Sequence, residues 1–261
     1  IKPKKSLGQN FLIDQNIINK ISNLIRIKNK VVLEIGPGTG NLSSSILKHN
    51  PKKFFAIEKD KKLFLHLKKQ FNNKIKFVNH DILNFDEYSL SKDKLIVFGN
   101  LPYNISTEIL SKWIINLKDE NFWFDSLILM FQKEVANRIL ARINTSTYGR
   151  LTVLANWKLE IQKICDISPS CFSPKPKVES SLLFFKPKKY FLKLNNPQNL
   201  EFITRIFFNQ RRKMIKKPFN QLFNGDKKIL EKLELNLNLR PQNLKLTDYY
   251  EIASEYEKLR C

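Results

Sequence analysis

Cysteine is nearly absent from this chain. Its 261 residues hold three, Cys165, Cys171 and Cys261, with no CxxC spacing. That excludes a disulfide framework and, with only three histidines and no His/Cys cluster, a zinc site. A reducing, cytoplasmic setting is the expectation. No apolar run reaches the length needed to cross a bilayer. The start, "IKPKKSLGQ", is basic but lacks the apolar stretch of a secretory signal, so none is expected. Acidic residues are short too: 24 against 46 Lys+Arg, a net charge of +22. Such an excess suits a polyanion, with nucleic acid the first candidate. A chain crowded with Lys, Asn, Ile and Phe, with few Arg, also arises from A/T-biased coding. Charge alone therefore carries no claim.

What is present is alternation. Residues 1–10 read as an extended arm. Asp14 can cap a helix carrying Ile17, Ile18, Ile21, Leu24 and Ile25 on one face. Strands are predicted at "VVLEI" (31–35), "KFFAIE" (53–58), "KIKFVN" (74–79), "KLIVFGN" (94–100) and "SLILMFQ" (126–132). Helices are predicted at 41–49, 60–70, from Thr107, and at 133–142. Near-continuous apolar strands alternating with helices predict a mostly parallel α/β sheet covered on both faces. After Leu151 the pattern changes. "KLEIQKICDI" and "ESSLLFFKP" read as two strands able to pair antiparallel at the sheet edge. Residues 186–199 resemble a linker. From about Leu200 the chain reads as helical: 201–217, 226–235 and 247–260. The expected domains are 1–190, with an N-terminal arm, and a small helical domain, 191–261.

"VVLEIGPGTGN" joins the first long strand to a helix through Gly36, Gly38 and Gly40. Glycines there let the backbone turn sharply and approach a ligand, at the strand end where such sheets bind ligands. Glu58 closes the next strand, eighteen positions after Gly40, and a carboxylate there can accept from two ribose hydroxyls. Asp81, in "NHDIL", can accept from an adenine amino group. The spacing G-x-G-x-G, with Glu34 just before it, leans toward S-adenosylmethionine rather than NAD, whose pattern is commonly G-x-G-x-x-G. A tight turn without any ligand is the plain alternative. His80 is expected to be solvated or locally bonded, and His49 and His66 to lie on helix surfaces.

"FGNLPYNIS" ends the fourth strand beside that crevice. A carboxamide, a proline-fixed backbone and an aromatic ring together suit a planar base with an exocyclic amine. The side-chain oxygen of Asn100 and the carbonyl of Leu101 can accept from its N–H groups. Pro102 offers no competing N–H, and Tyr103 can stack on the base. The base must leave its stack or lie in a loop. The expected chemistry is in-line transfer of a methyl group from a sulfonium, driven by orientation and charge placement rather than a strong base.

"KKSLGQNFLID", "EIGPGTG", "NHDIL", "GNLPYNIS", "FQKEVANRI", "YGRLTV", "FSPKPKVESSLL" and "FNQRRK" occur in that order. From about Lys4 to Lys213 the chain resembles the small-subunit ribosomal RNA adenine-N6,N6 dimethyltransferases. "GQNFL" and "NLPYNIS" are specific to that resemblance; the Gly-rich turn alone is not. It implies a Rossmann-like class I methyltransferase sheet, mostly parallel with an antiparallel edge, plus a small C-terminal helical domain that docks RNA. It implies dimethylation of two adjacent adenosines in the 3′-terminal hairpin of small-subunit RNA, on a partly assembled subunit. By position it places Asn10, Leu12, Gly36, Glu58, Asp81 and Asn100 around S-adenosylmethionine. Gly38 and Ile82 are counted in the same shell. Tyr103 falls against the target base. Phe172 is either a second aromatic wall or a hydrophobic plug under the "SPKPK" loop. No metal is expected, and a monomer is.

After "FNQRRK" the chain departs from the family with "MIKKPFNQLF", where Pro218 would break or restart a helix. Residues 205–217 hold Arg205, Arg211, Arg212, Lys213, Lys216 and Lys217 without an acid, which suits phosphate contact or a merely solvated face. The rival functions are a large-subunit adenine methyltransferase conferring antibiotic resistance, a non-catalytic assembly factor on the same fold, and an NAD-dependent dehydrogenase.

Overall fold

The computed structural model describes residues 3–4, 7–118 and 121–260. Ile1, Lys2, Lys5 and Ser6 of the expected N-terminal arm, and Cys261, lie outside the described residues. The chain divides into two compact units. One comprises Ile1–Leu110, Glu120–Ala136 and Ile161–Pro187; the other comprises Ser111–Asp119, Asn137–Glu160 and Lys188–Cys261.

The first unit is built on a sheet. Its strands are β2 (Val31–Ile35), β3 (Lys53–Glu58), β4 (Lys76–Asn79), β5 (Leu95–Asn100), β6 (Phe124–Gln132), β7 (Leu159–Ile167) and β9 (Ser180–Pro187). Among the described residues these form one sheet in the order β4-β3-β2-β5-β6-β9-β7. The first five run parallel; β9 is antiparallel to β6. The edge is thus mixed, as the two late apolar runs suggest. Helices α1 (Gln15–Ser22), α2 (Asn41–Leu47) and α3 (Lys61–Phe71) connect or flank the early strands. Asp14 caps α1 by accepting from Ile17 N at 2.9 Å, and Asp60 caps α3 by accepting from Lys62 N at 2.9 Å. Each such cap satisfies an otherwise orphaned helix N–H.

The central strands β2 and β5 are buried along almost their whole length. Val32, Ile96, Phe98, Ile128, Met130 and Leu182, from neighbouring strands, join Ile18 and Ile21 of α1, Ile46 of α2 and Leu67 of α3 in one cluster. Burying a side chain of this size contributes roughly 1.5–3 kcal/mol. The chain leaves β2 toward β3 and β4, then returns to β5 on the other flank of β2. That reversal opens a crevice at the carboxyl ends of β2 and β5, where open α/β sheets bind ligands. A two-residue ladder, β1 (Phe11–Leu12) with β8 (Phe172–Ser173), was not visible in the sequence pattern.

The second unit is helical. It contains the C-terminal half of α4 (Ser106–Asn116) and the end of α5 (Lys133–Ile139), together with α6 (Arg150–Lys158), α7 (Gln198–Asn209), α8 (Lys216–Phe223), α9 (Lys227–Lys232) and α10 (Leu246–Lys258). Tyr249 of α10 stacks on Phe208 with ring centroids 5.5 Å apart and meets Phe207 edge-on. Glu257 accepts from Asn195 N and Asn196 N at 2.9 and 2.7 Å, fixing the entry to α7. Helix α6 escapes the sequence reading because Leu151, Val153, Leu154, Ala155 and Trp157 are all buried, so no amphipathic period shows. The single helix expected over 201–217 is two. Helix α7 stops at Asn209, and Pro218 sits in the first turn of α8, where its missing N–H costs nothing.

Candidate active site

Beyond β2 the chain turns through Gly36, Gly38 and Gly40, all with positive φ. Gly38 is the demanding position. With φ at 59°, a Cβ would come within 2.7 Å of the Phe11 ring. The glycine therefore lets the N-terminal segment lie on the turn. That segment is tied down at the end of β5 and at the starts of α2 and α3. Asn100 Nδ2 donates to Asn10 O at 2.7 Å, and Asn41 Nδ2 donates to Leu12 O at 2.8 Å. Gln9 Nε2 donates to Asp60 Oδ2 at 3.3 Å, and Lys4 pairs with the same oxygen at 2.8 Å. "GQNFL" is thus a strap whose main-chain carbonyls are acceptors for asparagines of β5 and α2.

Together these parts enclose a cleft of roughly 1150 Å³, part of it open to solvent. Asn10, Leu12, Gly36, Gly38, Glu58, Asp81, Ile82, Asn100, Leu101, Pro102 and Tyr103 all line it. Phe172 does not join them. It is only 3% exposed and packs in the core cluster, with its backbone paired to Leu12. That inward packing fits the plug of its two sequence readings.

Three carboxylates serve the cleft in different states. Glu58 Oε1 accepts from Asp60 N at 2.8 Å and Oε2 from Gly38 N at 3.4 Å. Burial raises its pKa above the ordinary carboxylate range. Glu34, one strand over and 2% exposed, accepts from Ser43 Oγ at 2.5 Å. Burial pushes it up to about 8, the Ser43 bond opposing and the Glu58 charge adding. Asp81 is the contrast. Burial pulls it up, but Lys59 at 2.6 Å and Leu83 N at 3.1 Å outweigh that and hold it below the usual value. Glu34, Ser43, Lys59, Gln9, Phe11 and Asn41 were not among the sequence candidates. Glu34 and Asn41 flanked the turn in plain view, and Gln9 and Phe11 stood inside "GQNFL"; Ser43 and Lys59 had no local signal.

On the acceptor side, Asn100 ends β5 and Tyr103 follows in a turn closed by Ile105 N on Pro102 O at 3.1 Å. Tyr103 is half-buried, and its phenol oxygen meets Ser180 Oγ at 2.5 Å. Burial raises the phenol pKa, so it stays protonated at neutral pH. His80 is exposed, with Nδ1 2.9 Å from Asp81 O and its ring edge on Phe85. It is locally bonded, as expected.

The second unit carries its own open cavity, lined by Arg212, Lys213, Met214, Lys216, Lys217, Asn220, Asn238 and Arg240. Two of the basic residues expected there are engaged elsewhere. Arg211 donates to Gln242 Oε1 and Thr145 O, each at 3.2 Å, and Arg205 lies over the Phe202 ring.

Comparison with known proteins agrees with this geometry. The sequence profile of the family described as "Ribosomal RNA adenine dimethylase" matches residues 1–258. A protein of Pelagibacter ubique named ribosomal RNA small subunit methyltransferase A is 60% identical over 260 residues, covering 100% of this chain and 99% of that protein. One of the same name from a Wolbachia of Drosophila simulans is 41% identical over 265 residues, covering 100% and 96%. Among solved structures, a dimethyladenosine transferase from Plasmodium falciparum superposes with a TM-score of 0.80 at 28% identity, covering 95% of this chain and 98% of that one. The 23S rRNA methyltransferase ErmE shares the fold, with a TM-score of 0.68 at 20% identity, covering 97% and 100%.

Proposed function

The chain belongs to the ribosomal RNA adenine dimethylase family, and on that footing we propose how its cleft carries out the chemistry. It is an S-adenosylmethionine-dependent enzyme that dimethylates adenine in small-subunit ribosomal RNA. The proposed targets are the two adjacent adenosines of the 3′-terminal hairpin, presented on a subunit still being assembled. We place the work in the cytoplasm and take the working form to be a monomer.

When bound, S-adenosylmethionine supplies a methyl group on a sulfonium, whose sulfur leaves as a neutral thioether. The cleft fits that donor in kind: Gly36 and Gly38 line it with bare backbone, and carboxylates reach it from successive strands. In our reading Glu58 accepts from the ribose hydroxyls. Asp81 accepts from the adenine amine of the donor, sharing or exchanging the half-exposed Lys59. Asn10, Leu12, Gly36, Gly38 and Ile82 shape the walls.

The target amine is a weak nucleophile, because its lone pair is spread into the ring. Asn100 Nδ2 is engaged by Asn10 O, which leaves Oδ1 as the free-handed acceptor of the amide. That oxygen and the Leu101 carbonyl draw the amine's N–H groups toward a tetrahedral arrangement. Pro102 fixes the backbone direction and Tyr103 takes the base face. As the nitrogen gains positive charge its proton becomes acidic, so no strong base is required. The RNA is held by residues 191–261, with the basic cavity of α8 as the phosphate contact.

The observation that carries this reading is the pinned orientation of the Asn100 amide. Asn100→Ala is expected to slow single-turnover transfer by on the order of tenfold to a hundredfold while changing donor affinity far less. A normal single-turnover rate overturns it. Assay of each purified ribosomal subunit, with the modified base mapped by mass spectrometry, tests the substrate.

A further inference from the structure

Tyr103 is held at both ends. Its main-chain oxygen accepts from Ser106 Oγ at 3.3 Å, in the turn that opens α4. Its phenol oxygen is bonded to Ser180 Oγ, 77 residues away in sequence. The sheet explains how so distant a residue arrives. Ser180 is the first residue of β9, and it pairs with Gln132, the last residue of β6. An antiparallel strand added to a parallel sheet presents its beginning, not its end, at the ligand edge. Ser180 is fully buried beside an apolar face continued by Leu182. A hydroxyl buried there needs a partner, and the tyrosine is that partner.

The start of β9 is also braced on both sides of Ser180. Lys133 N donates to Glu179 O at 2.9 Å, and Lys133 Nζ reaches Glu179 Oε2 at 2.6 Å. Ser181 Oγ donates to Asp166 Oδ1 at 2.6 Å. Asp166 in turn pairs with Lys163 at 2.7 Å and Lys133 at 3.3 Å. These bonds tie β9 to the end of β6 and to β7. A braced hydroxyl cannot follow a ring that swings, so it can hold the ring in one orientation.

We propose that Ser180 is a positioning residue for methyl transfer, its hydroxyl fixing the plane of the Tyr103 ring before the target adenine enters. The proposal rests on the reading that Tyr103 takes the base face. Preorganisation of this kind spares the bound state the cost of ordering a side chain. It acts on the rate at saturating substrate more than on donor binding.

The test uses the full chain as S180A, Y103F, the double variant and Y103A, on small ribosomal subunits with labelled donor. A 2-aminopurine at the target position of a hairpin RNA reports stacking by its quenched fluorescence. S180A and Y103F are each expected to slow single-turnover transfer about three- to tenfold and to weaken the quench. The double variant is expected to be no slower than either, with donor affinity by calorimetry within about twofold of the parent. A purely structural serine would lower thermal stability without moving the rate or the quench. If rates in the double variant are the product of the singles, the proposal fails. It also fails if Y103F, which removes the same bond while leaving Ser180 in place, transfers at the parent rate. Y103A separates the two readings. A slow Y103A beside a normal S180A and a normal Y103F overturns the role of Ser180 alone. A Y103A at the parent rate overturns the stacking reading and this proposal with it.

Discussion

Burial raises the pKa of two glutamates on neighbouring strands, Glu34 and Glu58. Glu34 lies against Ser43 and close to Glu58, with its carboxyl pushed up to about 8 by burial. In the unfolded chain it titrates near 4.5, the ordinary value. Between those two values the folded state binds a proton that the unfolded state releases. Stability therefore falls as pH rises from about 4.5 to about 8, and the contribution flattens above that. The depressed carboxylates, Asp81 and Asp166 among them, work in the opposite sense and are lost in acid below that window. Glu34→Gln keeps the hydrogen-bonding shape without the titration. It is expected to flatten the decline in melting temperature between pH 5 and pH 8, leaving the acid limb in place. An unchanged slope would mean that Glu34 is ionised in the folded protein at neutral pH.

At the scale of elements, the strap over the glycine turn is the part most exposed to a single change. Gly38→Ala combines a backbone at φ 59° with a Cβ that meets the Phe11 ring at 2.7 Å. The left-handed conformation costs roughly 1–2 kcal/mol, and the contact displaces Phe11 or the turn. Donor affinity is expected to fall by at least about tenfold, measured by calorimetry, with a lower melting temperature. Phe11→Ala in the Gly38→Ala background should recover part of the affinity if the clash is the cause. The strap also shows what a sequence can and cannot disclose. Strands such as Val31–Ile35 and Leu95–Asn100 are legible because burial on both faces demands unbroken apolar runs. The glycines, Glu58, Asp81 and Asn100 are legible because they punctuate the ends of those runs. Helix α6 is hidden by all-round burial, and the β1–β8 pair is too short to have a period. The bonds from Asn100 to Asn10 and from Tyr103 to Ser180 span 90 and 77 residues, so no local pattern announces them. Phe172 could be read either as a wall or as a plug, because an aromatic residue suits both until the backbone pairing of β8 sets its direction.

The whole molecule carries +22, and the open question at this scale is how much of that charge does anything. A diffuse excess acts through the net field, whereas phosphate contacts act one by one. Arg212, Lys213, Lys216, Lys217 and Arg240 converge on one cavity of the helical unit, while Arg211 is spent bonding Thr145 O and Gln242. Each phosphate contact released changes the slope of log affinity against log salt by about 0.7–0.9. Replacing Arg212, Lys213, Lys216 and Lys217 with Gln should therefore flatten that slope by roughly 3–3.5 for small-subunit RNA. Replacing four exposed lysines of the first unit, Lys20, Lys28, Lys30 and Lys48, removes the same net charge and should change it by less than about one. Arg211→Ala should act mainly on stability, lowering the melting temperature through its two lost acceptors. Equal flattening by both sets would mean that the charge works as a general field. The cavity would then be a solvated face in a lysine-rich composition. A loss confined to the cavity set would separate selected contacts from coding bias within one protein.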